Sequence, residues 1–148
     1  MAAEPAVVVE RVREADDELL EALARLLPQL SSAAGPPERD QVAALVADER
    51  TALLVARDDG GRIVGALTFA TYRIPTAYVG WIEDVVVDEA ARGAGVGAAL
   101  TAEAQRLASE WRVDHVNLTS RPDREAANRL YRRSGFEPRE TNVYRWRP

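Results

Sequence analysis

Hydrophobic residues recur along this chain at two spacings, and together these spacings predict a mixed α/β fold. Leucines three or four positions apart between Leu19 and Leu30 predict an amphipathic helix that begins at Asp16 or Asp17. Runs rich in β-branched residues predict strands instead. The helices are expected at residues 16–30, 38–49, 96–111 and 123–133. The strands are expected at residues 6–12, 51–57, 62–72, 78–87, 113–119 and 141–146.

Turn signals separate these elements. Asp58-Asp59-Gly60-Gly61 predicts a tight hairpin between two strands, and Gly135 predicts the end of the last helix. Residues 31–37 are rich in Ser, Gly and Pro, as expected of a loop. Since the chain shows neither an internal repeat nor a linker, we expect one domain over residues 1–148. The order of its elements implies one right-handed crossover, carried by the long helix.

Composition restricts the chemistry. The 148 residues include no cysteine, which excludes disulfides, thiolate catalysis and cysteine–zinc sites. His115 is the only histidine, so no metal site is expected. No apolar run approaches the roughly 20 residues of a membrane span. Residues 1–5 lack the basic region and apolar core of a signal peptide. We therefore expect a cytoplasmic protein without a membrane partner.

Charge is distributed unevenly along the chain. The net charge of −5 argues against general nucleic-acid binding. Residues 121–148, however, contain eight arginines and four acidic residues. A basic segment of this kind could serve an anionic cofactor, or it could be a solvated helix face. On charge alone, we favour the solvated helix face.

The most informative stretch joins the strand at residues 78–87 to the long helix. It reads Arg92-Gly93-Ala94-Gly95-Val96-Gly97. Glycines allow backbone N–H groups to turn toward a ligand, and the N-terminus of a helix adds a partial positive charge. A strand, a glycine-rich turn and a helix in this order predict a site for phosphate or pyrophosphate.

A dinucleotide is one ligand that such a loop could bind. Gly93-x-Gly95-x-x-Ala98 fits the dinucleotide fingerprint formally. That fingerprint requires the loop to follow its strand directly, with an acidic residue at the end of the next strand. Here residues 88–92 intervene, and the next strand ends in Thr119-Ser120. The lysine of a P-loop is also absent. These departures disfavour NAD and nucleoside triphosphates.

A second interpretation rests on two motifs. Arg92-x-x-Gly95-x-Gly97 resembles the pyrophosphate-binding motif of the GNAT superfamily of N-acetyltransferases, in which Arg or Gln precedes x-x-Gly-x-Gly or Ala. The segment from Leu130 to Phe136, with Tyr131 and Gly135, resembles that superfamily's aromatic-Tyr-x-x-x-Gly-Phe segment. The spacing between the motifs also fits. The resemblance covers most of the chain and implies the GNAT fold, an α/β fold whose mixed central sheet of about six or seven strands is flanked by about four helices.

The resemblance implies acetyl-CoA as the cofactor and CoA as the product. Backbone amides of the glycine loop, Arg92–Gly97, would bind the pyrophosphate. The backbone of Val85 and Val87 would pair with the pantetheine arm, in a gap between this strand and the one at residues 113–119. The residues expected to bind the cofactor are Val85, Val87, Arg92, Gly93, Ala94, Gly95, Val96, Gly97 and Asn128.

One position departs from the family pattern. Many members have Asn seven residues before the tyrosine, where this chain has Arg124. Asn128 lies one helical turn before Tyr131 and hence on the same helix face. Asn128 either replaces the missing contact or is simply solvated, and Arg124 is free to meet a CoA phosphate.

Acetyl transfer to an amine requires an amine that has lost a proton, a stabilised carbonyl oxygen and a protonated or stabilised thiolate. Tyr131 matches the family's tyrosine near the CoA sulfur and is the expected general acid. Glu83 and Asp84 place two carboxylates beside the cofactor strand, and the alternation of a strand predicts that they lie on opposite faces. An acid on this strand often acts as the base in the superfamily, and we favour Glu83 over Asp84.

The expected function is therefore direct transfer of an acetyl group from acetyl-CoA to a primary amine. Glu83-Asp84-Val85-Val86-Val87 is similar to the glucosamine-phosphate N-acetyltransferases, but over too few residues to identify the acceptor. The acceptor is left open between a small-molecule amine and a peptide amine. The alternative is a catalytically silent GNAT-fold protein that binds CoA or senses a ligand. Dimers are common in the family, so the resemblance is also compatible with a homodimer.

Overall fold

The computed structural model describes residues 7–148, which fold around a single five-stranded sheet. The strands are β1 (Val8–Arg11), β2 (Thr51–Arg57), β3 (Ile63–Ile74), β4 (Ala77–Val87) and β5 (His115–Asn117). The helices are α1 (Asp17–Leu30), α2 (Arg39–Ala47), α3 (Val96–Glu110) and α4 (Glu125–Arg133). The spatial order is β1-β2-β3-β4-β5, antiparallel except for the parallel pair β4–β5. The predicted mixed α/β class is confirmed.

Local signals account for the ends of several elements. The Asp16 carboxylate accepts the Leu19 N–H at 2.8 Å and so caps the start of α1. In the β2–β3 turn, Asp58 Oδ1 accepts the N–H groups of Gly60 and Arg62, each at 3.0 Å. Gly61 completes this turn with a φ of +81°, a conformation that favours glycine. The predicted hairpin is confirmed.

The two faces of the sheet bury separate apolar layers. One layer packs α3 on the sheet and includes Leu54, Leu67, Phe69 and Leu100. The other packs α1 and α2 on the opposite face and includes Leu19, Leu26, Val42, Leu53 and Val55. Because β2 alternates between the two layers, both of its faces are buried. The sheet is therefore a rigid support for the end of β4.

The sequence interpretation differs from the structure in the number of strands. The predicted strand at residues 141–146 is wrong: residues 137–148 are exposed and lie outside the sheet. The exposed fractions of Val143, Tyr144 and Trp146 are 76%, 88% and 83%. Residues of high β-propensity form a strand only where a sheet edge and a buried face receive them, and within the described chain this segment meets neither. Within residues 7–148, the sheet thus has five strands rather than six or seven.

The other predicted elements are present with shifted ends. The predicted strand at residues 113–119 is reduced to β5, and the predicted first strand begins at Val8. Ala6, where that strand was expected to begin, lies outside the described residues. Among residues 7–148, every helix falls short of the length and apolarity that crossing a membrane requires.

Candidate active site

A bulge interrupts β4 at Asp84. Thr68 lies opposite Glu83 but Ala66 lies opposite Val86, so β4 holds one residue more than β3 between these pairs. Asp84 accordingly has a φ of +50°. Such a bulge bends and twists its strand.

The bulge also changes which faces the side chains occupy. Ile82 packs in the α3 layer and Val86 in the α1/α2 layer, although regular alternation would place both on one face. The expectation that Glu83 and Asp84 lie on opposite faces by alternation therefore does not apply across the bulge.

Beyond Trp81, β4 separates from β5. Their pairing joins Val79, Gly80 and Trp81 to β5, whereas β4 continues to Val87. The Asp88 N–H points toward β3, since it donates to the Val64 carbonyl oxygen at 2.8 Å. By alternation, the backbone N–H and C=O groups of Val85 and Val87 point away from β3, into the gap that β5 leaves. This unpaired edge can hydrogen-bond a ligand that contains amides.

The glycine loop follows a short 3-10 turn, Glu89–Ala91, and leads into α3. Gly93 and Gly95 have φ values of +84° and +79°, and a Cβ added to either would meet no protein atom within 4 Å. Gly97 has a different role, because its added Cβ would lie 3.1 Å from Leu130 Cδ2 of α4. Gly93 and Gly95 therefore shape the loop beside open space, and Gly97 allows α3 to pack on α4.

Most backbone N–H groups of this segment have no acceptor in the protein. Among residues 7–148, no acceptor is found for the N–H groups of Gly93, Gly95, Val96, Gly97 and Ala98. The Ala94 N–H makes only a long bond of 3.4 Å to Ala91, and Ala99 is the first residue to bond in helical fashion, to the Gly95 oxygen at 3.0 Å. With the partial positive charge of the α3 N-terminus, these donors form an anion site. Arg92 is exposed at its entrance.

Tyr131 is placed on α4 with its ring in the protein interior. It is 7% exposed, and its ring meets that of Phe136 edge-on, with 6.0 Å between the centroids. Burial raises the pKa of the Tyr131 phenol above its ordinary value, and the positive charge of Arg124 partly opposes this rise. The hydroxyl is therefore protonated at neutral pH and has a proton to donate.

The carboxylates of Glu83 and Asp84 are both exposed. Leu53, Thr68 and Glu83 are successive cross-strand partners and share one face of the sheet. Leu53 belongs to the α1/α2 layer, so Glu83 faces that side. Tyr131 instead belongs to α4, which packs against α3 on the other side. Glu83 therefore faces α1 and α2, whereas the helix that carries Tyr131 packs against α3.

Asn128 has a structural role in this arrangement. Its Nδ2 donates to the carbonyl oxygens of Arg121 and Arg124, each at 2.9 Å, and so secures the start of α4. Only Oδ1 is left for a ligand. A cofactor contact from Asn128 stays a prediction, restricted to that atom.

Three residues near the loop were missed by the sequence interpretation. Asp88 is 9% exposed and forms an ion pair with Arg25 of α1, and Gln29 of α1 accepts the Glu89 N–H at 2.8 Å. An aspartate just before a short turn is an N-cap signal that could have identified Asp88. No local signal could have paired it with Arg25, which lies 63 positions earlier.

The chain is similar in sequence to known acetyltransferases. Residues 17–136 match the model of the Acetyltransferase (GNAT) family. A curated mycothiol acetyltransferase from Mycolicibacterium vanbaalenii is 38% identical over 91 residues, covering 58% of this chain. The match spans only 29% of the length of that relative.

Solved acetyltransferase structures share the fold. An acetyltransferase from Trypanosoma brucei has a TM-score of 0.77 at 27% identity, covering 93% of this chain and 97% of that one. An aminoglycoside acetyltransferase from an uncultured soil metagenomic sample, solved with trehalose, has a TM-score of 0.81. It is 20% identical and covers 96% of this chain and 95% of its own, a likeness that shows the fold alone.

Proposed function

This chain belongs to the acetyltransferase (GNAT) family, and we propose that it transfers the acetyl group of acetyl-CoA directly to a primary amine. The proposal rests on the row of unpaired N–H groups between Gly93 and Ala98, beside the unpaired edge of β4. The N–H groups of the glycine loop suit a pyrophosphate, and the backbone edge of β4 suits a chain of amides. CoA carries both in succession.

The residues proposed to hold the cofactor divide into two groups. Val85 and Val87 would pair with the pantetheine amides through their backbone. The loop residues would bind the pyrophosphate, with the open space at Gly93 and Gly95 admitting the phosphate oxygens. The Arg92 guanidinium would add a charge-assisted contact at the entrance.

In the proposed reaction, bound acetyl-CoA supplies an activated acetyl thioester. Glu83 accepts a proton from the acceptor amine, directly or through water. Tyr131 donates its phenolic proton to the departing sulfur, a role that suits a phenol held neutral by burial. The position of Glu83 on the α1/α2 side is consistent with an acceptor that approaches from the first two helices. Asp84 is the alternative base.

The acceptor is proposed only as a class, a small-molecule or peptide amine. The substrate in the name of the curated relative does not transfer to this chain, because the match spans 29% of that protein. A cytoplasmic location, the lack of nucleic-acid and membrane partners and a homodimeric state all stay predictions.

Thermal unfolding with added ligands tests the cofactor. A ligand that binds only the folded state stabilises it by about 2.7 kcal/mol at a hundredfold excess over its dissociation constant. For a chain of this size that corresponds to a rise in Tm of about 5–10 °C. We expect this rise with acetyl-CoA and CoA and none with NAD. Stabilisation by NAD but not by acetyl-CoA would contradict the proposed cofactor.

Turnover distinguishes the enzyme from its silent alternative. Acetyl-CoA is incubated with a panel of small amines, amino acids and peptides, and released CoA is detected with a thiol reagent. We expect release above the hydrolysis background with at least one amine. A protein that acetyl-CoA stabilises but that releases no CoA across the panel would favour the catalytically silent CoA-binding protein.

A further inference from the structure

Two polar side chains join α1 to the segment that precedes the glycine loop. The Arg25 guanidinium donates through Nη1 to Asp88 Oδ2 and through Nη2 to the Ile63 carbonyl oxygen, the latter at 2.7 Å. Gln29 Oε1 accepts the Glu89 N–H at 2.8 Å. Arg25 and Gln29 are four positions apart and therefore share one face of the helix. We call them the Arg25/Gln29 pair.

These contacts determine where the 3-10 turn lies. Asp88 Oδ1 accepts the Ala90 N–H at 3.2 Å, while the Asp88 N–H donates to Val64 at 2.8 Å. Asp88 is thus bonded to α1 through one carboxylate oxygen, to the turn through the other and to β3 through its backbone. The turn it caps, Glu89–Ala91, leads directly to Arg92. Any displacement of the turn would move the loop that follows.

The loop needs support of this kind. Gly93 and Gly95 have broad conformational freedom, so ordering them on a ligand costs entropy unless neighbouring contacts restrict the loop beforehand. Charge adds a second requirement. The mostly buried Asp88 carboxylate lies close in sequence to a site for an anion, and the positive charge of Arg25 offsets its repulsion.

We propose that Arg25 and Gln29 are positioning residues for the pyrophosphate-binding loop, an inference that rests on the proposed function. They act through Asp88 and Glu89, holding the turn so that the N–H groups of residues 93–98 converge on the phosphates before the cofactor arrives. In acetyl-CoA the pantetheine arm separates the acetyl thioester from the pyrophosphate. The Arg25/Gln29 pair should therefore govern cofactor affinity and leave the chemical step unchanged.

The test uses two variants of the full chain, Arg25→Met and Gln29→Leu. Calorimetry gives the dissociation constant of CoA, and steady-state kinetics with acetyl-CoA give KM and kcat. For Arg25→Met we expect the dissociation constant and KM to rise roughly tenfold, the equivalent of one hydrogen bond to a charged group. For Gln29→Leu, which loses neutral hydrogen bonds, we expect a rise of about two- to tenfold. In both variants kcat should stay within about twofold of wild type. S-acetylpantetheine, which lacks the pyrophosphate, should show no change in KM.

Arg57→Met is the matched control. Arg57 also joins α1 through its guanidinium, with Nη2 bonded to Glu18 at 2.7 Å and Nη1 to the Gly61 carbonyl oxygen at 2.7 Å. These contacts lie by the β2–β3 turn rather than the glycine loop. We expect Arg57→Met to lower stability while leaving KM for acetyl-CoA at its wild-type value.

The outcomes separate the two proposals. A wild-type protein that binds no CoA would overturn the proposed function and this inference together. Normal CoA binding by wild type, with an unchanged dissociation constant in both variants, would overturn the inference alone, as would equal KM changes in Arg25→Met and Arg57→Met. If Arg25→Met does not fold, Gln29→Leu decides, because it removes only neutral hydrogen bonds.

Discussion

The substitution Gly95→Val tests whether the glycine loop holds the cofactor. Gly95 has a φ of +79° and a ψ of +12°. Apart from its chain neighbours, no described residue has an atom within 4 Å of the position of an added Cβ. The Cβ of the valine would therefore meet no described residue other than its chain neighbours, and we expect its main cost to folding to be the strained backbone. That cost is about 1–2 kcal/mol for a residue with a side chain. The corresponding fall in Tm is about 2–8 °C.

The effect on CoA should be larger than the effect on folding. The new side chain would occupy the space in which the phosphate oxygens are proposed to lie, beside the N–H groups of Gly95 and Val96. Losing one hydrogen bond to a charged group costs about 1.5–3 kcal/mol. The dissociation constant of CoA should therefore rise at least about tenfold. Calorimetry with CoA measures this constant, and thermal melts of the unliganded protein measure the cost to folding.

Gly61→Val is a matched control for the backbone strain. Gly61 has a φ of +81°, likewise has no atom within 4 Å of an added Cβ, and lies in the β2–β3 turn. We expect a similar fall in Tm from Gly61→Val and an unchanged dissociation constant of CoA. If the two variants bind CoA equally well, the reasoning is refuted, and Gly95 serves only the entry into α3.

The other predictions concern the proposed acid and base. Tyr131→Phe keeps the buried ring, so we expect the free energy of unfolding to stay within about 1 kcal/mol of the wild-type value. Because the phenolic proton is lost, turnover should fall roughly tenfold or more at an unchanged KM for acetyl-CoA. Full activity would leave Tyr131 with a packing role only. Burial raises the pKa of Tyr131 in the folded state, so the folded protein favours the protonated phenol. The resulting contribution to the free energy of unfolding is complete below the unfolded pKa of about 10, and it is lost as the pH rises through the folded pKa. Denaturant melts over this window should show wild type losing stability faster than Tyr131→Phe. Glu83→Gln should lower turnover most at low pH, where the amine is protonated, without changing acetyl-CoA affinity. Asp84→Asn is its control, since Asn tolerates the positive φ of this position, and a large effect of Asp84→Asn alone would exchange the two roles.

Features that depend on neighbouring residues could be predicted from the sequence. The first helix begins at its predicted cap because the Asp16 side chain bonds a backbone group three residues later. The turn at Gly61 is where it was expected, since a tight hairpin needs a left-handed residue there. The left-handed glycines of the loop follow the same logic. Each is a local requirement that a particular residue type meets.

The strand predicted at residues 141–146 is absent because strand formation depends on more than the local sequence. Its β-branched and aromatic residues are typical of a strand, but a strand also requires a neighbour that supplies hydrogen bonds and a surface that buries one face. The residues of the segment do not show whether either requirement is met. The bulge at Asp84 also depends on a second segment, because a register shift is defined by the pairing of β3 with β4. Regular alternation, read from β4 alone, could not reveal it.

The sequence by itself determined the glycine loop and the order of the helices and of the five strands that form, because these follow from short-range spacing and residue chemistry. The candidate catalytic residues came from the resemblance to a family. The family resemblance implied a gap between β4 and β5, and the tertiary structure located it: β4 leaves β5 after Trp81 and exposes a backbone edge beside the loop. It also brought Arg25 to Asp88, turned Glu83 toward α1 and α2, and packed the helix of Tyr131 against α3. These relations join residues far apart in the chain. They arise only when the apolar faces of the helices pack on the sheet, which no short stretch of sequence specifies.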